Sequence, residues 1–265
     1  MLMEVHDLKK YYRKNLLFFR KDKALVKAID GVHFFIKENE IVGLVGESGC
    51  GKSTLSRLLV KLEKATAGSI TFQGENILQL RKEEWKRCRK ECQIIFQDSL
   101  SALNPSMRIR DILSEPLNNH YRLTKEEKRS RITEMTASLK LNRKVLDKFP
   151  KSLSGGELQR VNICRALLLE PKLLICDEIV SSLDVSIEAS ILALLKRLNR
   201  ELNMAILFIS HDIRAVSYLC DRVLVMKKGK IVEVIDNKNP LYKVNHPYTK
   251  KLFSSLPINH PSKRE

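Results

Sequence analysis

The sequence lacks any long run of uncharged residues. Its longest stretch without Asp, Glu, Lys or Arg spans residues 252–262 and contains two prolines. A membrane-spanning helix needs about 20 predominantly apolar residues, so we expect no transmembrane segment. An apolar signal-peptide core is missing as well, because Glu4 directly follows the first three residues. We therefore expect the chain to stay in the cytoplasm.

Cysteine is sparse, and the six cysteines are scattered along the chain. In a chain of this length without an export signal, this argues against a disulfide framework. Cys88 and Cys92 lie four residues apart in a segment that we predict to be helical, where they would share one face. No histidine or second cysteine pair stands near them, which disfavours a metal site there.

Basic residues are abundant: 48 Lys and Arg against 31 Asp and Glu give a formal net charge of +17. Such a charge suits either a nucleic-acid or anionic-membrane surface, or solvated helix faces. The basic segments 81–92 and 122–131 mix both signs, and Trp85 is their only aromatic residue. They lack the interleaved aromatics of single-strand binders. We favour solvated helix faces and expect no nucleic-acid partner; attraction to acidic lipid head groups stays open.

The apolar pattern indicates an α/β fold. Short, mostly apolar runs at 40–45, 173–176 and 205–210 are typical of strands buried on both faces. The helical segment 185–202 between the last two implies parallel pairing. We further predict strands at 3–5, 26–36, 69–72 and 93–96, helices at 53–64 and 124–140, a terminal hairpin at 221–233 and a basic, aromatic loop at 11–22.

The strongest motif is G-x-x-x-x-G-K-S at residues 46–53, between a predicted strand and a predicted helix. Its glycines let backbone N–H groups turn toward a polyphosphate, and the helix points its positive end at the same anion. Lys52 is expected to reach the β- and γ-phosphates, and the Ser53 hydroxyl to hold Mg²⁺. We expect a lowered pKa for the thiol of Cys50, which lies in this loop near Lys52. The loop residues expected to bind the nucleotide are Gly46, Glu47, Ser48, Gly49, Cys50, Gly51, Lys52 and Ser53.

Two acids end the strand predicted at 173–176. At the carboxyl edge of a parallel sheet, where ligands bind, Asp177 fits a partner of Mg²⁺ through water. Glu178 fits the residue that polarises the attacking water. Taken alone, the same pattern also suits a strand end with solvated acids.

A second glycine-rich segment, Ser154-Gly155-Gly156, stands at the head of another predicted helix. It forms a phosphate-binding nest without a lysine of its own. A compact domain does not need two nests to bind one nucleotide. A dimer needs both nests if the second nest of each subunit closes over the γ-phosphate bound to its partner. The alternative is an ordinary helix start that contains glycine.

In this order the motifs resemble the nucleotide-binding subunit of ATP-binding-cassette (ABC) transporters, over nearly the whole chain. The resemblance implies an α/β P-loop NTPase with a RecA-like parallel sheet core, an antiparallel β subdomain and a helical signature subdomain at about 98–160. It implies ATP and Mg²⁺ as cofactors and adds Thr54 to the phosphate loop. It assigns adenine stacking to Tyr12, contacts with Mg²⁺ and the membrane subunits to Gln97, and γ-phosphate sensing to His211.

Some positions depart from the family pattern or complete it. Ile179 stands where the family usually has Pro or Ala, and Glu157 replaces the commoner Gln of the signature. Neither change removes a catalytic group. Residues 182–184 match the family's dimer-interface loop.

The segments 11–27, 97–116 and 239–257 resemble the oligopeptide, dipeptide and nickel importers, and best the F-type ATPase of such systems. We therefore expect an ATPase domain over 1–238 and a C-terminal extension over 239–265. The implied function is ATP hydrolysis that energises peptide import, with nickel or a metal–chelator complex as the alternative cargo. The implied partners are a second, non-identical ATPase, two membrane permeases and, indirectly, an external substrate-binding protein, at the cytoplasmic face of the membrane. Some relatives carry a cysteine cluster near the C-terminus that holds an iron–sulfur centre. Only one cysteine, Cys220, lies beyond Cys176 here, so we expect no such centre.

A different class with the same signature is the DNA-repair ATPases, which separate the two nests by long coiled coils or zinc modules. The segment between Lys52 and Ser154 has room only for a small helical subdomain. A P-loop kinase would lack both the signature and His211. The transporter interpretation is favoured, and the cargo stays open because this subunit should not touch it.

Overall fold

Two sheets organise the molecule, for which a computed structural model describes residues 1–13, 25–181, 183–236 and 244–254. The described strands are β1 Met3–Arg13, β2 Leu25–Ile36, β3 Ile41–Val45, β4 Ala67–Phe72, β5 Glu75–Asn76, β6 Cys92–Ile95, β7 Leu173–Asp177, β8 Ala205–Ile209, β9 Arg222–Lys227 and β10 Lys230–Asp236. The described helices are α1 Lys52–Leu59, α2 Lys82–Glu91, α3 Ile109–His120, α4 Lys125–Ser138, α5 Gly155–Leu167, α6 Val185–Leu202, α7 Ile213–Leu219 and α8 Pro247–Ser254, with short 3₁₀ helices at Arg143–Asp147 and Pro150–Ser152.

The larger sheet has the strand order β10-β9-β3-β8-β7-β6. All neighbours pair in parallel except β10 with β9. Every residue of β3 and β8 is buried, as expected for parallel strands that are covered on both faces. The carboxyl ends of β3, β6, β7 and β8 therefore meet at one edge, which is where such sheets bind ligands.

Each strand of this sheet feeds two hydrophobic cores, because successive side chains point to opposite faces. Leu173 and Ile175 pack with the apolar residues of the smaller sheet and of α1. Leu174 and Cys176 pack with the core that includes α3, α5 and α6. This alternation explains why β7 is apolar along its whole length until Asp177.

The smaller sheet is antiparallel, with the order β2-β1-β4-β5. Its first strand is longer than predicted, since Tyr11, Tyr12 and Arg13 pair with the start of β2. The loop predicted at 11–22 is thus wrong for residues 11–13, and its remainder lies outside the described residues. Register shifts along β1 interrupt the regular alternation of its buried and exposed side chains.

Element types predicted from the sequence are confirmed more often than boundaries. The bounds of α6 agree with the prediction, and the hairpin of β9 and β10 is present but extends to Asp236 rather than to residue 233. Thr124 makes both bonds of a capping box with Glu127. Helix α1 ends at Leu59 rather than at residue 64, because the chain turns left-handed at Lys61 (φ 53°). Cys88 lies in α2 but Cys92 begins β6, so the expectation of one shared helical face is wrong.

Helices α3, α4 and α5 pack together beside the larger sheet, and α5 carries the second glycine-rich nest at its start. Within the described ranges, no helix combines the length and apolar character that crossing a membrane requires. The predicted division into 1–238 and 239–265, with a helical subdomain at about 98–160, stays a prediction.

Candidate functional site

The phosphate loop joins β3 to α1, and neighbouring elements hold its backbone tightly. Gly51 adopts φ +115°, and a Cβ atom there would lie 2.4 Å from the Ala28 carbonyl oxygen, so only glycine fits. The turn between β9 and β10 supports the loop from one side, where the Gly229 N–H donates to the Cys50 carbonyl at 2.9 Å. No side chain caps the start of α1, which leaves its N–H groups for an anion.

Lys52 is buried at the start of α1, with 4% of its surface exposed. Its Nζ donates to the carbonyl oxygens of Gly46 at 2.8 Å and Glu47 at 3.2 Å. The Oε1 atom of Glu178 lies 3.6 Å away and provides the counter-charge. A buried ammonium needs such compensation. Lys52 is thus held by its own loop and by the acid that follows β7.

Glu178 bridges Lys52 and a histidine. Its Oε2 lies 3.4 Å from Nδ1 of His211, which follows β8. The backbone of Glu178 is left-handed (φ 52°), and its N–H donates to the Ile209 carbonyl at 2.9 Å. For a residue with a side chain this conformation costs of order 1 kcal/mol, and the bond to β8 helps to maintain it. The carboxylate consequently points across the sheet edge toward the loop.

Asp177 ends β7 and is buried, with 4% exposure. Its carboxylate accepts hydrogen bonds from Ser56 Oγ at 2.8 Å and Ser53 Oγ at 3.4 Å. Burial, the largest influence, nevertheless raises the pKa of Asp177. A nearby divalent cation would offset this effect by favouring the charged carboxylate.

Gln97 lies between these groups. It lines a cavity of about 450 Å³ together with Ser53 and Asp177. It also lines an adjoining cavity of about 480 Å³ that contains Lys52 and Glu178. Hydroxyl, amide and carboxylate oxygens are the hard ligands that Mg²⁺ prefers, so this donor set fits that ion.

Tyr12 lies on β1, to the side of the loop. Its hydroxyl donates to the carboxylate of Glu63, and its ring has Lys10 Nζ 4.8 Å from the centroid. It also interacts with the side chain of Thr54, which lines the loop cavity. The assignment of Tyr12 to adenine stacking stays a prediction.

The second nest lies apart from the first. Ser154 caps α5 and accepts a hydrogen bond from the Glu157 N–H at 3.3 Å, while the Ser154 N–H donates to Glu157 Oε2 at 3.0 Å. Ser154 and Gly156 line a separate cavity of about 440 Å³ beside Ile187. The residues around this cavity do not include those of the phosphate loop. A single chain therefore keeps its two nests separate.

The expected lowering of the Cys50 pKa is wrong. Cys50 has only 7% of its surface exposed. Burial raises the pKa of its thiol, and the opposing influence of Lys52 is smaller. The helix start and the nearby ammonium do not compensate for the loss of solvent.

Sequence reasoning missed two residues that support the site. Ser56 hydrogen-bonds Asp177, and its position three residues after Ser53 on one helix face was the available signal. Tyr248 on α8 accepts a hydrogen bond from the Glu47 N–H in the loop. Nothing local in the sequence indicates that second contact.

Comparison with known proteins agrees with this geometry. The sequence model of the ABC transporter family matches residues 29–181. The oligopeptide transport ATP-binding protein OppF of Salmonella typhimurium is 42% identical over 98% of this chain and 79% of its own length. The nickel import ATP-binding protein NikE of Escherichia coli O157:H7 is 45% identical over 88% of this chain and 86% of its own length. A dimeric ATP-binding cassette solved in a post-hydrolysis state with ADP and Pi superimposes with a TM-score of 0.79 at 28% identity, covering 89% of this chain and 98% of that one.

Proposed function

This chain belongs to the ABC transporter family, and we propose that it is the ATPase subunit that energises import of oligopeptides or dipeptides. The observation that carries this proposal is the similarity to OppF, which extends over 98% of the chain rather than over the cassette alone. The reaction is hydrolysis of ATP to ADP and phosphate. Nickel, or a metal–chelator complex, is the second candidate cargo, which the similarity to NikE favours.

The contacts of Lys52 support a sequence of events at the phosphate loop. Its ammonium is paired with the Glu178 carboxylate at 3.6 Å. The phosphates of ATP would replace that carboxylate as the counter-charge of Lys52. Glu178 would then be free to accept a proton from the attacking water. His211, whose Nδ1 lies beside Glu178 Oε2, would hold the Glu178 carboxylate in place.

Ser53, Gln97 and Asp177 would hold Mg²⁺ beside the phosphates. Their oxygens border one cavity, and the buried Asp177 carboxylate gains from a cation. When bound, the ion supplies positive charge that neutralises the phosphate oxygens. Ser56 orients Asp177 through its hydrogen bond of 2.8 Å.

The second nest would act in a dimer with a second, non-identical ATPase. Ser154, Gly155 and Gly156 would close over the γ-phosphate bound to that partner's loop. Further partners would be two membrane permeases, at the cytoplasmic face of the membrane, and indirectly an external substrate-binding protein. ATP would stabilise the closed dimer through its differential affinity for that state, and hydrolysis would release it.

The segment after Gln97 would transmit this movement to the permeases, since it is joined directly to α5. The Ser99 hydroxyl donates to Gln159, and the Ser99 carbonyl accepts from Asn162 Nδ2 at 2.9 Å. Arg165 adds a bond of 3.0 Å to the Ala102 carbonyl. A displacement of this segment would therefore move the helix that carries the second nest.

Transport assays test the cargo. Cells that make this chain would carry Lys52→Ala in place of the native copy and be offered labelled di- and tripeptides or labelled Ni²⁺. Loss of peptide uptake alone supports the proposal, and loss of nickel uptake alone supports the alternative. Retention of both contradicts both.

Mixed dimers test the shared sites. In a dimer with the partner ATPase, Ser154→Arg in this chain should abolish hydrolysis at the partner's loop and leave ATP affinity at Lys52 intact. Lys52→Ala in this chain should instead weaken ATP binding at its own loop and leave ATP binding at the partner's loop intact. A Ser154→Arg variant that no longer bound ATP at its own loop would refute the cross-dimer arrangement.

A further inference from the structure

The C-terminal segment 244–254 lies directly against the phosphate loop. Tyr248, in the first turn of α8, is buried with 6% exposure. Its Oη accepts a hydrogen bond of 3.0 Å from the backbone N–H of Glu47. The two residues are 201 positions apart in the sequence. Nothing in the phosphate-loop motif requires such a contact.

Segment 244–254 is anchored on the hairpin of β9 and β10. The carboxylate of Glu233 accepts from the N–H groups of Asn245 at 2.7 Å and His246 at 3.4 Å. The Nδ1 atom of His246 accepts from the Tyr248 N–H at 3.1 Å, and Lys227 Nζ lies 4.6 Å from the Tyr248 ring centroid. The same hairpin holds the loop through Gly229. The phosphate loop and segment 244–254 are thus both hydrogen-bonded to the hairpin of β9 and β10.

Glu47 connects this anchor to Lys52 of the phosphate loop. Its N–H is bound by Tyr248, and its carbonyl accepts from Lys52 Nζ at 3.2 Å. Both polar groups of the Glu47 backbone are therefore hydrogen-bonded within the chain. A loop that is already ordered loses less conformational freedom on binding, which favours affinity.

We propose that segment 244–254 is a clamp on the phosphate loop, and that Tyr248 is a positioning residue for ATP binding through its bond to the Glu47 N–H. The clamp rests on the proposed binding of ATP at this loop. It gives the C-terminal extension a role within the ATPase cycle: displacement of α8 would loosen the loop and weaken ATP binding without touching the phosphates.

Tyr248→Phe in the full chain is the sharpest test, because it removes the hydroxyl and keeps the buried ring. Loss of one hydrogen bond should raise the Kd for ATP about two- to tenfold. Amide exchange of the peptide covering residues 46–51 should become faster in the absence of nucleotide. Turnover at saturating ATP, measured with the partner ATPase, should stay unchanged, so that KM moves and kcat does not.

Tyr218→Phe is the matched control, since Tyr218 is 53% exposed on α7 and contacts Lys196 rather than the loop. It should alter neither measurement. Glu233→Gln, which weakens the anchor but keeps Tyr248, should shift both measurements in the same direction by less. Unchanged exchange and unchanged Kd in Tyr248→Phe would overturn the clamp, as would a fall in kcat with unchanged KM. Failure of the wild-type chain to bind ATP would refute the proposed function instead, while the exchange measurement would still decide on the clamp.

Discussion

The two glycine-rich nests of this chain differ in what requires their glycines. Gly51 in the phosphate loop is left-handed and would collide with the Ala28 carbonyl if it carried a side chain. Gly155 at the start of α5 has helical backbone geometry, and a Cβ there would meet only Leu183 Cδ2 at 3.4 Å, an ordinary contact. Packing within the chain explains Gly51 but not Gly155, whereas a Cβ at Gly156 of the second nest would lie 3.0 Å from Ile187 Cγ2.

The helix starts behind the two nests differ in the same sense. Helix α1 has neither a side-chain cap nor an acid in its first turn, so its N–H groups and dipole are available to phosphate. Helix α5 is capped by Ser154 and carries Glu157 in its first turn. That carboxylate already satisfies part of the helix start. We infer that the phosphate loop provides most of the affinity for ATP. The second nest would contact phosphate only when the dimer closes.

Glu178→Gln should produce the largest effect in this comparison. It removes the base while preserving size, so hydrolysis should fall by roughly 10²- to 10⁴-fold with ATP binding intact. The dimer formed with ATP should persist. Turnover is measured with the partner ATPase present. Near-normal turnover would show that another group activates the water.

Lys52→Ala tests whether affinity resides in the first nest. Loss of a charge-assisted contact should weaken ATP binding about 10- to 100-fold in equilibrium titration. The Ser154→Arg variant serves as the control and should bind ATP normally. Equal losses in both variants would show that the two nests act on one nucleotide.

Glycine replacements test the structural difference directly. Gly51→Ala should lower the free energy of unfolding by about 2 kcal/mol or more, since it adds strain and a steric clash. Gly155→Ala should change it by less than about 0.5 kcal/mol, as for a surface position. Chemical denaturation of the two variants measures both values. A strongly destabilised Gly155→Ala would mean that the fold itself requires this glycine.

Maleimide labelling tests the burial of the first nest. Because burial raises the pKa of Cys50 and shields its thiol, its labelling should be slower than that of an exposed thiol near neutral pH. The rate should still rise with pH above the ordinary thiol pKa, since the thiolate forms only there. ATP should slow it further. Maleimide should also inactivate the ATPase. If maleimide still inactivates the Cys50→Ala variant, the inactivation is due to another cysteine.

Glu157→Gln is expected to give the smallest change. Removing one negative charge from the start of α5 should favour closure of the dimer over phosphate. The ATP concentration needed for dimerisation should therefore fall by about two- to fivefold. Glu157→Gln keeps the capping geometry but removes a charge that favours the helix start, so the free energy of unfolding should fall by less than about 1 kcal/mol. Sedimentation of mixed dimers with the partner ATPase measures the change. A weaker dimer would show that the carboxylate has a favourable role.

The predictable part of this molecule depends on short stretches of chain. The G-x-x-x-x-G-K-S spacing predicted a phosphate loop between β3 and α1, and an apolar run ending in Asp177 predicted a strand edge. The Thr124 capping box likewise lies within one helical turn. These features follow from backbone conformation, hydrophobic alternation and local hydrogen bonding, which neighbouring residues determine.

Other features were decided by contacts between distant parts of the chain. The length of β1 depends on pairing with β2, and the pKa of Cys50 depends on the elements that bury it. The bond between Tyr248 and Glu47 exists because the hairpin of β9 and β10 brings α8 to the loop. Desolvation and long-range pairing are properties of the packed molecule, so only the tertiary structure could reveal them.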